Sequence, residues 1–214
     1  AHFVCLDRWG QPSAAEEHNG MPFHGEATRV LWKEEKAPSA EGSFTIAEFS
    51  AMLPMAGLEV RRMVRLARNA ADFVVSETVT NRNKLGRPYN MVQHPTIGPP
   101  FLDETTIVDA NAGKGFMQSS PMPNPEEPTI SWPSALKDNE KVDLRRLTAD
   151  PLPAVVSFVV DTEYGWVTAI TPSTGFLLGY LWESSEDPWL KGWRHMDKGK
   201  PHAKGPEFGP NGPH

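Results

Sequence analysis

The sequence predicts an all-β fold built from antiparallel sheets, and three observations support this fold class. Pro (21) and Gly (17) divide the 214-residue chain into many short segments. Several segments are rich in β-branched and aromatic residues, and some alternate between apolar and polar side chains, as strands with one solvent-facing side do. Helical periodicity is weak throughout. Together these patterns are typical of antiparallel sheets that pack over one another.

The predicted elements follow the chain in order. Strands are predicted at residues 2–6, 28–33, 43–49, 58–67, 72–81, 154–161, 165–171 and 176–182. Single turns of helix are predicted at residues 14–17, 133–136 and 188–193. A Pro-, Asn- and Glu-rich stretch at residues 119–133 predicts a long surface loop. The length suits one domain, and we expect a single domain over residues 1–214.

Composition excludes several classes of partner. The formal net charge is -6, the charges are scattered, and no Lys/Arg cluster indicates nucleic-acid binding or attraction to an anionic membrane. No run approaches the roughly 18 apolar residues that a membrane span requires. We therefore expect a soluble protein with neither a nucleic acid nor a membrane as partner, and a cytoplasmic location is slightly favoured.

The single cysteine limits the chemistry of the chain. Cys5 cannot form an internal disulfide, and a cysteine-based zinc site is excluded. It lies in the apolar run Phe3-Val4-Cys5-Leu6, so we expect it to be a small buried apolar residue.

Three short segments place an ionisable residue beside Pro or Gly, where the backbone is held rigidly or can approach a ligand closely. We expect each to form a turn or loop. Isolated, such His and Glu residues are most often structural or solvated, so only their combination suggests a site. The segments are Phe23-His24-Gly25-Glu26, Gln93-His94-Pro95 and Gly205-Pro206-Glu207-Phe208-Gly209-Pro210.

A metal site is one joint interpretation of these residues. His24, Glu26 and His94 could supply imidazole and carboxylate ligands, as in a cupin-type barrel. Such a site usually starts with two histidines one residue apart, and the chain has no His-x-His. A zinc deaminase needs a Pro-Cys-x-x-Cys partner for its His-x-Glu, which one cysteine cannot provide. The prediction is therefore that no metal is bound.

The strand-like residues 73–81, a short spacer and the segment at 88–98 resemble the aldose 1-epimerase (galactose mutarotase) family. The resemblance places His94 at the family's catalytic acid and Glu207 at its catalytic glutamate. It places His24, in Phe23-His24-Gly25, at a sugar-binding histidine. Residues 175–182 and 187–190 resemble the paired strand and Pro-aromatic turn before that glutamate. The fold implied is an antiparallel β-supersandwich.

The activity implied by the resemblance is an isomerase that interconverts the anomers of a free sugar without a cofactor. His24, Arg8 and Gln93 would hold sugar hydroxyls, and Trp9 or Trp182 would stack on the sugar ring, although core packing is the default for both tryptophans. This hypothesis requires His94 and Glu207 to be separated, with the sugar between them. A direct bond between the two would instead indicate a structural salt bridge.

The sequence also departs from the family pattern. Thr96-Ile97-Gly98-Pro99 follows the histidine where familiar mutarotases have an aromatic-Phe-Asn run, so the sugar is left open. Family members have further strands at both ends, so we expect this chain to be a fragment lacking terminal strands, with sheet edges that favour a homodimer. A non-catalytic carbohydrate-binding module of the same fold remains the alternative.

Overall fold

The computed structural model describes residues 2–117, 127–137, 140–146, 155–198 and 200–212. Within these ranges almost all regular structure is β, and every strand pair with a defined register is antiparallel, which confirms the predicted fold class. None of the helices in the described ranges is long and apolar enough to cross a membrane.

The described chain contains sixteen strands and two short helices. In chain order they are β1 (His2–Leu6), α1 (Ala14–His18), a 3-10 helix (Glu26–Thr28), β2 (Lys33–Glu41), β3 (Phe44–Leu53), β4 (Leu58–Ala67), β5 (Phe73–Asn81), β6 (Met91–Pro95), β7 (Ile107–Ala110), β8 (Lys114–Met117), β9 (Ile130–Ser131), β10 (Ser134–Lys137), β11 (Glu140–Asp143), β12 (Val155–Val159), β13 (Tyr164–Thr171), β14 (Phe176–Glu183), β15 (Trp189–Asp197) and β16 (Lys200–Gly209).

Contacts within the chain divide it into two compact units, which we describe separately. The meander unit is Cys5–Asn90, and the sandwich unit is Ala1–Val4 together with Met91–His214. That both form the single domain expected from the sequence stays a prediction.

The meander unit is built on a four-stranded sheet in the order β2-β3-β4-β5. β3 and β4 pair without interruption from Phe44 opposite Ala67 to Leu53 opposite Leu58. The turn that joins them ends at Gly57, whose φ of 65° favours glycine. A Cβ at this position would also lie 2.4 Å from the Asn83 amide oxygen, so the turn depends on glycine for two reasons.

Glu26 anchors the segment that carries His24. The Glu26 side chain is buried, at 4% exposure. Its carboxylate accepts hydrogen bonds from the backbone N–H groups of Met55 at 3.0 Å and Ala56 at 2.7 Å, in the turn between β3 and β4. A buried carboxylate needs such partners, because an uncompensated charge would be costly. The contact therefore fixes residues 23–26 against the hairpin.

We expect Glu26→Ala to lower the free energy of unfolding by about 3 kcal/mol, because two backbone N–H groups lose a charged acceptor. Urea denaturation checks this, with Glu34→Ala on the exposed surface of β2 as the matched control. Equal stabilities for the two variants would contradict the anchoring role.

The sandwich unit contains a seven-stranded sheet in the order β1-β6-β16-β15-β12-β8-β9 and a three-stranded sheet in the order β14-β13-β7. Side chains from both sheets form one apolar core. This core comprises Ile97, Leu102, Val108, Ala110, Val160, Val167, Ala169, Trp182, Leu190 and Phe208. The two sheets therefore pack face to face, which confirms the β-sandwich expectation for this unit.

Strand alternation divides the side chains of β15 and β16 between two faces. Leu190 and Phe208 are opposite each other and belong to the apolar core, so they mark the inner face. The next opposed pair, Lys191 and Glu207, must lie on the other face, because side chains alternate along a strand. We call this the outer face of the seven-stranded sheet.

Several local predictions were wrong. Residues 28–33 are not a strand, because the 3-10 helix ends at Thr28 and β2 begins only at Lys33. The helical turns predicted at 133–136 and 188–193 are strands β10 and β15, where pairing with neighbouring strands overrides the local signal. The helical turn at 14–17 is confirmed by α1, with Ser13 as its cap. The predicted loop at 119–133 lies largely outside the described residues, and β9 occupies 130–131.

The segments around His94 and Glu207 are also strands and not turns or loops. Gln93-His94-Pro95 lies in β6, and Glu207 lies in β16 despite the Pro and Gly residues beside it. The Pro and Gly residues in these segments do not break the sheet. Gly209 allows β6 to approach β16 closely, because a Cβ at this position would lie 2.5 Å from the Met91 carbonyl oxygen.

Lys204 is a buried lysine on the inner face of β16, at 7% exposure. Its Nζ donates to the Leu144 carbonyl oxygen at 2.6 Å. Burial, followed by the charge of Arg194, lowers the Lys204 pKa to about 7. Unfolding would return this pKa to its ordinary value of 10.5.

This shift predicts a specific dependence of stability on pH. Between about pH 7 and 10.5 the unfolded chain binds a proton at Lys204 and the folded chain does not, so the free energy of unfolding rises with pH. Relative to Lys204→Met, the wild-type protein should gain on the order of a few kcal/mol across this window. Denaturation of the wild-type protein and Lys204→Met at several pH values measures this gain, and Lys200→Met, at an exposed position on the same strand, is the control. A difference in the free energy of unfolding between wild type and Lys204→Met that does not change with pH would contradict the prediction.

Candidate functional site

The outer face of the sandwich unit brings His94 and Glu207 into direct contact. His94 Nε2 lies 2.9 Å from Glu207 Oε1. Both side chains are buried, His94 at 4% exposure and Glu207 at 1%. The sequence-based expectation that the two are separated was therefore wrong, since the imidazole bonds directly to the carboxylate.

Sheet register explains the contact. Gln93 on β6 is opposite Phe208 on β16 and shares its inner face. Moving one residue along each strand reverses the face, so His94 and Glu207 both lie on the outer face. Adjacent strands are only about 4.8 Å apart, which lets the two side chains meet.

The imidazole of His94 is held from three further sides. Its Nδ1 lies 3.2 Å from the Thr96 hydroxyl. The Phe3 ring stacks on it with centroids 4.3 Å apart and planes at 19°, and the Trp193 ring lies 6.0 Å away at 55°. With one ring nitrogen on a carboxylate and the other on a hydroxyl, the orientation of the ring is fixed. This is the arrangement by which a histidine is prepared to hold or move a proton at Nε2.

Trp193 owes its position to a glycine. The two residues Trp193 and Gly205 are opposite each other on β15 and β16. A Cβ at Gly205 would lie 2.0 Å from Trp193 Nε1, so only glycine allows the indole to lie over β16. The Nε1–H group is buried and has no hydrogen-bond partner among the described residues.

Lys191 is a further charged residue on the outer face, and sequence reasoning missed it. It is opposite Glu207 and fully buried, and its Nζ donates to the Asn211 carbonyl oxygen. Lys191 could have been recognised from the alternation of side chains along a strand, because a strand over residues 189–197 places Lys191 and Trp193 on one face. Residues 188–193 instead suggested a helical turn, which hides that pattern.

The other two predicted residues of this unit lie on the inner face. The Gln93 side-chain oxygen accepts a hydrogen bond from His2 Nε2 at 3.0 Å. Trp182 stacks flat on Phe208, with centroids 4.3 Å apart, and donates from Nε1 to the Asp187 carbonyl oxygen at 2.8 Å. The structure therefore brings His94 and Glu207 together but places Gln93 and Trp182 in or beside the apolar core.

In the meander unit, His24 is held in one tautomer. Its Nδ1 accepts a hydrogen bond from the Gly10 backbone N–H at 3.1 Å, and Cys5 Sγ lies 3.3 Å from the same atom. Because a nitrogen that accepts an N–H bond carries no proton, the ring proton is on Nε2. The φ of 65° at His24 shows that the surrounding turn imposes this placement.

Arg8 and Trp9 also have structural contacts in the meander unit. The Arg8 guanidinium donates to the Gln11 carbonyl oxygen at 3.0 and 2.7 Å and lies 3.4 Å from Glu16. Trp9 is buried at 6% exposure. Glu26, considered above as a metal ligand, has its carboxylate bound by two backbone N–H groups. Sugar contacts by Arg8 and Trp9 stay predictions.

Comparison with known proteins gives no match to a family model and no match to a curated protein. Solved structures do match. A candidate aldose 1-epimerase from Klebsiella pneumoniae shares 16% identity over 97% of this chain and 53% of its own, with a TM-score of 0.63. Another candidate aldose 1-epimerase, from Escherichia coli, shares 15% identity over 100% of this chain and 74% of its own, with a TM-score of 0.66.

A galactose mutarotase related enzyme from Lactobacillus acidophilus shares 14% identity over 88% of this chain and 63% of its own, with a TM-score of 0.58. The chain has the fold of the aldose 1-epimerases. At these identities the likeness shows the fold alone, which agrees with the family resemblance of the sequence. The chain spans about half the length of the Klebsiella protein, 53%.

Gly205→Ala should displace Trp193 from its place beside His94 and cost about 1–3 kcal/mol, because the added methyl group overlaps a rigid indole. Gly179→Ala is the control, since its Cβ would come no closer than 3.7 Å to another atom. Thermal unfolding and tryptophan fluorescence measure both. An unchanged melting temperature and spectrum for Gly205→Ala would show that the indole is not held in this position.

Proposed function

We propose that this chain is an aldose 1-epimerase-like isomerase that interconverts the anomers of a free aldose. Glu207 is the proposed base and His94 the proposed acid. The proposal rests on the 2.9 Å contact between His94 Nε2 and Glu207 Oε1, a direct bond that a structural salt bridge would also make and that catalysis requires to open. It joins an acid and a base on the outer face of a sheet whose fold is shared with candidate aldose 1-epimerases.

The chemistry of the reaction requires the two groups to be near each other. The anomeric carbon carries both the hydroxyl that loses a proton and the ring oxygen that gains one. In the proposed cycle Glu207 takes the hydroxyl proton while protonated His94 gives its Nε2 proton to the ring oxygen, which opens the ring to the aldehyde. Rotation about the adjacent C–C bond and the reverse transfers close the other anomer. No electrons move, so the reaction needs no redox cofactor.

The direct bond between His94 and Glu207 must open for this chemistry. We infer that the two sugar oxygens insert between the side chains and replace one hydrogen bond with two. Before substrate binds, an acid–base pair can satisfy itself in this way, and catalytic hydrogen bonds take their final geometry only in the complex. A pair that never opened would be a structural salt bridge, and breaking it would only reduce stability.

The neighbours of the pair suit this role. Lys191 lies opposite Glu207 on the same face, and its Nζ donates to the Asn211 carbonyl oxygen. The buried Nε1–H of Trp193 offers a hydrogen-bond donor beside His94. The Thr96 hydroxyl can either donate to His94 Nδ1 or accept from it, so it can stay bonded as the imidazole changes protonation.

The remaining predicted ligands enter the proposal in different ways. His24 would donate its Nε2–H to a sugar hydroxyl, since its Nδ1 is occupied. Arg8 and Trp9 remain predicted sugar contacts. Gln93 and Trp182 would act indirectly, by supporting the strands that carry His94 and Glu207, because they face the core.

The test is the rate at which a freshly dissolved single anomer reaches equilibrium, followed by polarimetry over a panel of aldoses. The wild-type protein should accelerate the approach for at least one sugar. Glu207→Gln and His94→Gln should each reduce the acceleration by about 10²- to 10⁴-fold, the usual range for loss of acid–base catalysis. Glu163→Gln, at an exposed position, is the matched control and should retain the rate.

Circular dichroism and melting of each variant separate lost chemistry from lost folding. Decay at the uncatalysed rate for every aldose would contradict the proposal. Sugar-dependent shifts in the protein's NMR spectrum without anomer exchange would show a carbohydrate-binding module instead.

A further inference from the structure

The inner face of β16 carries a second reactive group that the proposed epimerase chemistry does not use. Lys204 lies three residues before Glu207, and an odd spacing along a strand places the two on opposite faces. Its register partner is Arg194 on β15, so two buried cations lie side by side, at 7% and 6% exposure. Nothing in the His94–Glu207 pair requires this arrangement.

A small cavity of the sandwich unit adjoins both cations. Its volume is about 30 Å³, and its lining includes the basic residues Lys204, Arg194 and Lys191 and the apolar residues Trp132, Leu144, Val156 and Phe158. One water requires about 10–15 Å³ on this scale, so the cavity fits a molecule of only a few heavy atoms. The exposed surface of the lining is mainly apolar.

We propose that Lys204 is a nucleophilic amine that forms a Schiff base with a small aldehyde admitted to this cavity. An amine that is removed from water and placed beside another cation becomes an effective nucleophile, because its charged form is disfavoured. The Lys204 site meets both conditions by burial and by its pairing with Arg194. The proposal does not depend on the epimerase activity.

The charges around Lys204 agree with a neutral amine near pH 7. Burial and the charge of Arg194, from β15, disfavour the ammonium form of Lys204. The charge of Asp143, from β11, favours the ammonium form, but its effect is smaller than either of these. The carbonyl oxygens nearby are neutral. That of Leu144 accepts from Lys204 Nζ, and that of Arg146 accepts from the Arg194 guanidinium at 3.3 Å. The resulting pKa is about 7.

The reaction balances without any further reagent. The Nζ lone pair attacks the aldehyde carbon, the carbonyl oxygen takes up the amine proton, and a carbinolamine forms. Loss of this hydroxyl with a second amine proton releases one water and leaves the C=N bond. The apolar lining favours an aldehyde with a short hydrocarbon chain.

Trapping with propanal and cyanoborohydride tests the proposal, because the reductant fixes the imine as a stable secondary amine. Peptide mapping by mass spectrometry after short exposure at pH 7 should show Lys204 modified about tenfold or more faster than Lys200, an exposed lysine on the same strand. Lys204→Met should remove this fast modification, and Lys200→Arg should retain it.

A pH profile on the wild-type protein needs no variant and separates reactivity from folding. The Lys204 rate should reach half its maximum near pH 7, whereas an ordinary lysine requires about pH 10.4. Arg194→Gln, if its melting curve shows that it folds, should move the Lys204 midpoint upward. Modification of Lys204 no faster than Lys200, or a midpoint at the ordinary lysine value, would overturn the proposal.

Discussion

The antiparallel alignment of β16 with β6 on one side and β15 on the other determines the chemistry of the sandwich unit. Phe208 is opposite Gln93 and Leu190, which fixes which residues face the apolar core. A shift of one residue would exchange the faces, placing Glu207 in the core and Phe208 beside His94. The burial of Phe208 and Trp182 in the core therefore also holds the carboxylate in contact with the imidazole.

This constraint gives β16 two different faces with charged groups. On the outer face Glu207 contacts His94, and Lys191 lies opposite Glu207 on the neighbouring strand. On the inner face Lys204 is opposite Arg194, and its amine donates to the neutral Leu144 carbonyl oxygen. A buried charge with an opposite partner keeps its ordinary protonation more easily than a buried charge beside a like one. The strand therefore provides an acid–base pair on one side and a weakly basic amine on the other.

The sequence predicted the all-β class and the strands with apolar alternation, but its expectation that a sugar separates His94 from Glu207 was wrong, because the two side chains bond directly. It failed where tertiary pairing overrides local signals. Pro and Gly around Glu207 suggested a loop. In the structure, Gly205 and Gly209 lie in a strand, and their lack of a side chain allows Trp193 and β6 to approach β16 closely. Lys191 escaped notice because its strand resembled a helical turn. Register could not be read from the sequence, so the inward orientation of Gln93 could not be anticipated, whereas core packing was the default expectation for Trp182.

The central claim is that His94 and Glu207 work as one proton-transfer pair and not as a structural salt bridge. NMR exchange spectroscopy of the two anomeric protons, applied to the single variants His94→Gln and Glu207→Gln and to the double variant, tests it most directly. If the two groups act as a unit, the double variant should lose no more activity than the more damaged single variant. Losses that add fully, or exchange that is unchanged in folded variants, would contradict the claim.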